Sequence, residues 1–148
     1  MHRTKAFSFM FVAIILDRVL KFVMMKGLVK TTSFFGSYPH LLFFENHGIA
    51  FSIPVPAIFT MVISVVVVAA LFVWMFRSWK KKTSEAATLI ILLGGALSNL
   101  YDRIVFGFVV DTIEVFPGSI WNIADILILI GLLFLIYYNM REPKSVSS

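Results

Sequence analysis

Four long stretches of the chain are dominated by apolar residues, at residues 6–25, 55–76, 86–103 and 120–138. Each approaches the roughly 20 residues that an α-helix needs to cross a bilayer. Only the second stretch is strongly apolar along its whole length and free of ionisable residues, whereas the first and fourth contain ionisable residues. The pattern predicts an all-α integral membrane protein, a four-helix transmembrane bundle formed by a single membrane-embedded domain over residues 1–148, with a disordered tail over residues 141–148.

Two of the connecting segments have β-strand character. Residues 41–44 and 49–53 are apolar and flank the turn-forming sequence Asn46-His47-Gly48, which favours paired strands. Residues 106–116, around Asp111, are also apolar and rich in β-formers. We therefore expect a small extracytoplasmic β-element beside the bundle.

The distribution of basic residues predicts the orientation of the bundle. Eight Lys and Arg lie before the first span, between the second and third, and after the fourth, against three in the other two connections. By the positive-inside rule both termini are cytoplasmic, so the net charge of +5 indicates membrane topology rather than nucleic-acid binding. Because Asp17, Arg18 and Lys21 interrupt the first apolar run and no small-residue cleavage site follows, we expect an uncleaved first helix.

The overall composition agrees with a membrane protein and excludes some kinds of site. The chain is 59% hydrophobic and 14% charged, whereas soluble domains carry about 25% charged residues. It has no Cys, which excludes disulfides, thiolate catalysis and Cys-based metal sites. Its three His show no metal-ligand spacing, so we expect no metal site.

Ionisable and amide side chains inside the spans are the first candidates for function, because burying them in a bilayer is costly. They fall at one depth, the outer boundary of the membrane: Asp17 and Lys21 in the first span, Asn99, Asp102 and Arg103 in the third, and Asn122 and Asp125 in the fourth. A pore or proton wire would need polar groups through the full thickness. The pattern favours an outward-facing enzyme acting at the membrane interface.

Asp111 and Asp125 form the most promising pair of acids, because no Lys or Arg lies between Arg103 and Arg141. Two carboxylates brought together share a proton, so that one acts as a base and the other as an acid. The alternative is that Asp125, with Asn122, only caps the fourth helix. The spacing leaves both interpretations open.

The remaining polar residues have mainly structural interpretations. Asp17 and Lys21 are four residues apart, in the favourable order for a helical ion pair. Asp102 and Arg103 either hold the outer loop or contact lipid phosphate, and the structural role is preferred for Asp102. Asn99 donates either to a carboxylate or to a backbone carbonyl. Gly94 and Ser98 form a small-residue stripe that permits close helix contact.

Five motifs occur in an order that resembles lipoprotein signal peptidase, also called signal peptidase II. They are Asp17-Arg18-Val19-Leu20-Lys21, Asn46-His47-Gly48-Ile49-Ala50-Phe51-Ser52, Gly94-Gly95-Ala96-Leu97-Ser98-Asn99-Leu100-Tyr101-Asp102-Arg103, Val109-Val110-Asp111 and Asn122-Ile123-Ala124-Asp125. The resemblance implies that Asp111 and Asp125 are catalytic. It implies that the substrate-binding or dyad-supporting residues are Asn46, Gly48, Asn99, Arg103 and Asn122, with Ala50 completing their motif, and that Asp17, Lys21 and Asp102 are structural.

The resemblance further implies an intramembrane aspartic endopeptidase of the bacterial inner membrane. Such an enzyme removes the signal peptide from diacylglyceryl-modified prolipoproteins, cleaving before the lipidated cysteine, and needs no metal or organic cofactor. Its partners would be the lipid-modified prolipoprotein and membrane lipids, with no nucleic acid. Ser98 and Trp121 depart from the family pattern, and the interval from Asp111 to Asp125 is short. Two alternatives are a small proton-coupled transporter and a non-enzymatic membrane assembly protein.

Overall fold

The structure, a computed structural model, describes residues 2–29, 32–33, 38–48, 56–80 and 83–141. In these ranges it contains four helices: α1 (Arg3–Met25), α2 (Ala57–Ser78), α3 (Thr83–Phe106) and α4 (Ile123–Arg141). Four strands complete it: β1 (Thr32–Ser33), β2 (His40–Asn46), β3 (Val109–Phe116) and β4 (Ser119–Trp121). The predicted fold class is confirmed. Residues 49–53, Ala50 among them, and the tail beyond Arg141 lie outside the described residues.

Three of the helices, α2, α3 and α4, contain a segment long and apolar enough to cross a membrane, so this is a multi-pass membrane protein. α1 is of similar length, but it contains Asp17, Arg18 and Lys21. The predicted start of the fourth span at residue 120 is wrong. Ile120 and Trp121 belong to β4, and hydropathy alone does not distinguish an apolar strand from the first turn of an apolar helix.

Helix α3 is the centre of the bundle and packs against α1, α2 and α4. Its first half is almost completely buried, including Leu89, Ile90 and Ile91. Gly94 lies against Met10 of α1, and a Cβ atom on Gly95 would come within 2.5 Å of the Ala124 carbonyl oxygen of α4. The small residues of α3 therefore bring α1 and α4 close to its axis, as small residues do in membrane bundles.

The sheet is antiparallel, with the strand order β1-β2-β3-β4. β2 pairs with β3, and this register places Phe44 opposite Asp111 and Asn46 opposite Val109. The strand predicted at residues 41–44 thus pairs with a segment more than sixty residues away. β3 also packs against α1 and α3, so the sheet fixes Asp111 beside the helix ends that carry the polar residues.

Candidate active site

Asp111 lies on β3 and is completely buried. Its Oδ1 atom accepts a hydrogen bond from Nδ2 of Asn122 at 2.6 Å, and its Oδ2 atom accepts one from Nδ2 of Asn46 at 2.8 Å. Burial and the negative charge of Asp125 raise the pKa of Asp111 to about 6, although the two amide donors oppose that shift. The carboxyl is therefore poised to gain or lose a proton near neutral pH.

Asp125 lies in the first turn of α4, and its carboxylate accepts hydrogen bonds from Nδ2 of Asn99 at 2.8 Å and from the backbone N–H of Asn122 at 3.3 Å. In return, the backbone N–H of Asp125 donates to Oδ1 of Asn122 at 2.8 Å. This reciprocal arrangement is a capping box. Asn122 and Asp125 therefore do cap α4, as one of the two interpretations of the sequence predicted. Asn122 also contacts Asp111.

Behind the two carboxylates lies a cluster of four charged side chains, Asp17, Arg18, Lys21 and Asp102. Lys21 Nζ is 3.1 Å from Asp17 and 2.7 Å from Asp102. Arg18 bridges the same two acids at 2.9 and 2.6 Å. Two positive charges thus compensate two negative ones, and three of the four side chains are almost fully buried.

Two hydrogen bonds connect the charged cluster to the part of the site around Asp125. Asp17 accepts a hydrogen bond from the backbone N–H of Ala124, in the first turn of α4, at 3.1 Å. Lys21 donates to Oδ1 of Asn99 at 3.4 Å, and Asn99 in turn donates to Asp125. The cluster therefore holds both the start of α4 and the amide that contacts its acid.

Arg103 and Asp102, at the end of α3, fix the segments that carry Asn46 and Asp111. Arg103 donates to the carbonyl of Gly48 at 3.3 Å, and the backbone N–H of Gly48 donates to Oδ1 of Asn46 at 3.0 Å. Asp102 accepts from the backbone N–H of Val110 at 3.2 Å. The sequence left two acceptors possible for Asn99, a carboxylate or a backbone carbonyl, and in the structure Asn99 donates to a carboxylate.

A cavity of about 540 Å³ lies at the site, between α2, α3, α4 and the sheet. Its polar residues include Asn46, Asn99, Arg103 and Asp125. Apolar residues of α2 and α4, among them Val67 and Leu132, form the rest of its helical walls. Asp111 is buried next to this cavity, through its contact with Asn46. The cavity therefore combines an apolar chamber with access to a carboxylate.

Several contributing residues were not assigned a role from the sequence. Ser98, noted from the sequence for close helix contact and as a departure from the family pattern, donates to Asp17 at 2.7 Å. Arg18 has its partners in Asp17 and Asp102, and it lies over the ring of Tyr101 at 5.2 Å. Thr60 and Ser64 of α2 line the cavity. They could have been identified from the sequence as polar residues within the most apolar span. Among the described residues, no three His, Cys, Asp or Glu are grouped to hold a metal ion.

The chain is similar to proteins of one known family along most of its length. The family model described as signal peptidase (SPase) II matches residues 9–141. A lipoprotein signal peptidase of Halothermothrix orenii is 34% identical over 138 residues, covering 90% of this chain and 93% of that protein. A lipoprotein signal peptidase of Sphingopyxis alaskensis is 35% identical over 142 residues, covering 84% of this chain and 79% of that protein.

The fold has a counterpart among solved structures. A bacterial membrane enzyme determined by the in meso method at 2.3 Å resolution superposes with a TM-score of 0.78 at 23% identity, over 99% of both chains. The predicted family and enzyme class are confirmed, and the comparisons support neither the transporter nor the assembly protein. The chain belongs to the signal peptidase II family, the aspartic peptidases of family A8.

Proposed function

We propose that this peptidase removes the signal peptide from diacylglyceryl-modified prolipoproteins, cleaving before the lipidated cysteine, with Asp111 and Asp125 as its catalytic carboxylates. The observation that carries the assignment is the contact of one residue, Asn122, with both acids beside an apolar cavity: its side-chain Nδ2 donates to the Asp111 carboxylate and its backbone N–H to the Asp125 carboxylate. The substrate follows from the name lipoprotein signal peptidase borne by its relatives.

The two carboxylates act as a pair that shares one proton, because two neighbouring negative charges in a buried site are unfavourable. The ionised member takes a proton from a water molecule, whose oxygen attacks the scissile carbonyl carbon. The protonated member donates to the carbonyl oxygen. As the C–N bond breaks, the acid that took the water proton gives it to the leaving amine, while a hydroxyl of the tetrahedral intermediate passes its proton to the other carboxylate as the carboxyl product forms, so the pair again holds one proton.

The surrounding amides orient this pair. Asn46 and Asn122 hold the two oxygens of Asp111, while Asn99 and the backbone of Asn122 hold those of Asp125. Arg103 and Gly48 fix the segment that carries Asn46. In this proposal Asp17, Lys21 and Asp102 remain structural, since they contact one another and Arg18 and otherwise hold the surrounding elements, through Ser98 and Asn99 of α3 and the backbone of Val110 and Ala124.

The apolar part of the cavity suits a substrate that remains in the bilayer. α2 and α4 both pack on α3 and make little direct contact with each other, which leaves a lateral opening between them. Acyl chains of the substrate and of membrane lipids would lie along residues such as Val67, Ile128 and Leu132. The peptide would then reach Asp125 without leaving the membrane interface.

The proposed location is the bacterial inner membrane, with both termini in the cytoplasm and the site near the outer face. The excess of Lys and Arg on the side of the termini supports this orientation. The sheet, Asn46 and Asp111 would then lie on the extracytoplasmic side.

The test is to incubate the purified protein in detergent with a lipidated prolipoprotein and, separately, with its unlipidated form. We expect cleavage of the lipidated form and little or none of the other, measured by mass spectrometry of the released signal peptide. Equal cleavage of both would contradict recognition of the diacylglyceryl group. Cleavage of neither would contradict the proposed function itself.

A further inference from the structure

Helix α2 carries two hydroxyl groups on its cavity side, and the proposed mechanism gives neither a role. Thr60 and Ser64 are four residues apart, so they lie on one helix face, and both line the cavity. Asp125 lines it from α4. The neighbouring α2 residues that line the cavity, Ile63 and Val67, are apolar. The two hydroxyls are thus the polar positions of an otherwise apolar wall.

The hydrogen bonds of these hydroxyls determine what they offer to a bound molecule. Oγ1 of Thr60 donates its proton to the carbonyl of Ala57 at 2.9 Å, and Oγ of Ser64 donates to the carbonyl of Thr60 at 2.7 Å. A hydroxyl has one proton and two acceptor lone pairs. Because both protons are used within α2, each oxygen is left as an acceptor, and its partner in the cavity must be a donor.

The spacing of the two acceptors matches a peptide backbone. Four residues of α-helix rise about 6 Å along the axis. Along one edge of an extended chain, N–H groups recur every second residue, about 6.6 Å apart. Two N–H groups of an extended peptide lying along α2 can therefore reach both hydroxyls together.

Hydrogen-bond acceptors are needed when an extended peptide is hydrolysed at a membrane. An extended segment cannot satisfy its own N–H groups as a helix does, and in a bilayer each unsatisfied group costs several kcal/mol. We infer that Thr60 and Ser64 bind the substrate backbone, accepting hydrogen bonds from two N–H groups two residues apart and holding the cleaved segment extended along α2. This inference rests on the proposed function and adds how the peptide is held.

The first test compares Thr60→Val, Ser64→Ala and the double variant with Thr88→Val. Thr88 is a matched control, because it is buried on α3, its hydroxyl donates to the carbonyl of Ser84 at 3.0 Å, and it does not line the cavity. We expect each α2 variant to raise KM on the order of three- to tenfold, with kcat unchanged, because a binding hydrogen bond is lost. Thr60→Ser, which keeps the hydroxyl, should retain the wild-type KM, and Thr88→Val should not change it.

The second test alters the substrate and leaves the enzyme intact. In a series of lipidated peptides, each non-scissile amide near the cleavage point is replaced in turn by an ester, which removes one N–H. In the wild type we expect two sensitive positions, two residues apart. One should become insensitive in Thr60→Val and the other in Ser64→Ala.

The two tests separate this inference from the proposed function. If the wild type cleaves the lipidated substrate but the α2 variants keep the wild-type KM, the inference is wrong and the proposed function stands. Sensitive esters that are adjacent or absent would also overturn the inference. Only failure of the wild type to cleave would count against the function.

Discussion

Asn122 is the residue through which the structure of α4 and the chemistry of the site are joined. Its Oδ1 accepts the N–H of Asp125 in the capping box, and this fixes the amide so that Nδ2 faces Asp111. A neutral Asn can contact both carboxylates, here Asp111 through its side-chain Nδ2 and Asp125 through its backbone N–H, without adding a charge that would fix their protonation. The cap and the acid pair are therefore compatible interpretations of the same residues.

The residue-scale prediction concerns the two candidate catalytic acids. We expect Asp111→Asn and Asp125→Asn each to lower turnover by at least about a thousandfold, and the double variant to lower it little further, because residues that act as a unit are not additive. Glu114→Gln is the control, since Glu114 also lies on β3 but contacts His40 and the Gly118 N–H. The turnover of this variant should stay close to that of the wild type.

Folding of these variants is measured by the thermal unfolding midpoint. Each substitution removes a buried charge, but it also places an amide NH₂ opposite another donor, Asn46 or Asn122 at position 111 and Asn99 at position 125. The two effects oppose each other, so we expect only a small change in stability. A folded single variant with near-wild-type turnover would remove that residue from the mechanism.

The raised pKa of Asp111 predicts a pH dependence of stability. The pKa rises from 3.8 to about 6 on folding, so the folded protein binds this proton more tightly than the unfolded chain does. The stabilisation of the folded protein by this proton is then fully present below about pH 4 and is lost as the pH rises through about 6. Across this pH range the thermal unfolding midpoint of the wild type should fall, whereas that of Asp111→Asn should not show this fall. Parallel curves would contradict the shifted pKa.

At the scale of elements, the contact between α3 and α4 sets the position of Asp125. A Cβ on Gly95 would meet the backbone carbonyl of Ala124, whereas one on Gly94 would meet the flexible side chain of Met10. We expect Gly95→Ala to displace the first turn of α4, to destabilise the protein by about 1–3 kcal/mol as overpacking does, and to lower turnover at least tenfold, roughly the effect of a small misplacement of a catalytic group.

Gly94→Ala is the matched control for this contact, because a side chain can rotate away while a backbone carbonyl cannot. Its Cβ would meet Cγ and Sδ of Met10, so α1 or the Met10 side chain must shift and the unfolding midpoint should fall, but turnover should stay closer to wild type than in Gly95→Ala because the start of α4 is not displaced. Turnover and thermal unfolding of the two variants provide the comparison. Equal behaviour of the two alanine variants would show that the approach of α3 to α4 does not control the site.

The elements differ in how far the sequence could predict them. Apolar runs of about the length of a bilayer crossing predicted the helices, because that signal is local. Strand partners are not local: residues 41–44 showed strand propensity, but nothing near them indicated pairing with β3. The pairing of Arg18 with Asp102, 84 positions away, was likewise inaccessible. The two acids and their amides were identified by their motifs, and their catalytic roles remain predictions.

At the scale of the whole molecule, the polar groups are concentrated at one end of the bundle. α1 and α3 end at the sheet and α4 begins there, so Lys21, Asn99 and Asp125 meet near one surface. The opposite end carries basic residues such as Arg77 and Lys80. This asymmetry makes the orientation in the membrane decisive for function, since it determines which compartment the site faces.

The orientation can be tested by cysteine labelling, because the chain contains no Cys of its own. Glu45 on β2 and Lys80 at the end of α2 are both exposed and lie outside the proposed site. The proposed orientation has both termini in the cytoplasm, and it predicts that Glu45→Cys reacts with a membrane-impermeant thiol reagent in intact spheroplasts, whereas Lys80→Cys reacts only after the membrane is permeabilised. Each variant should first be shown to cleave the lipidated substrate, so that labelling reports the active form. The reverse pattern would place the sheet and both acids on the cytoplasmic side and would contradict an outward-facing peptidase.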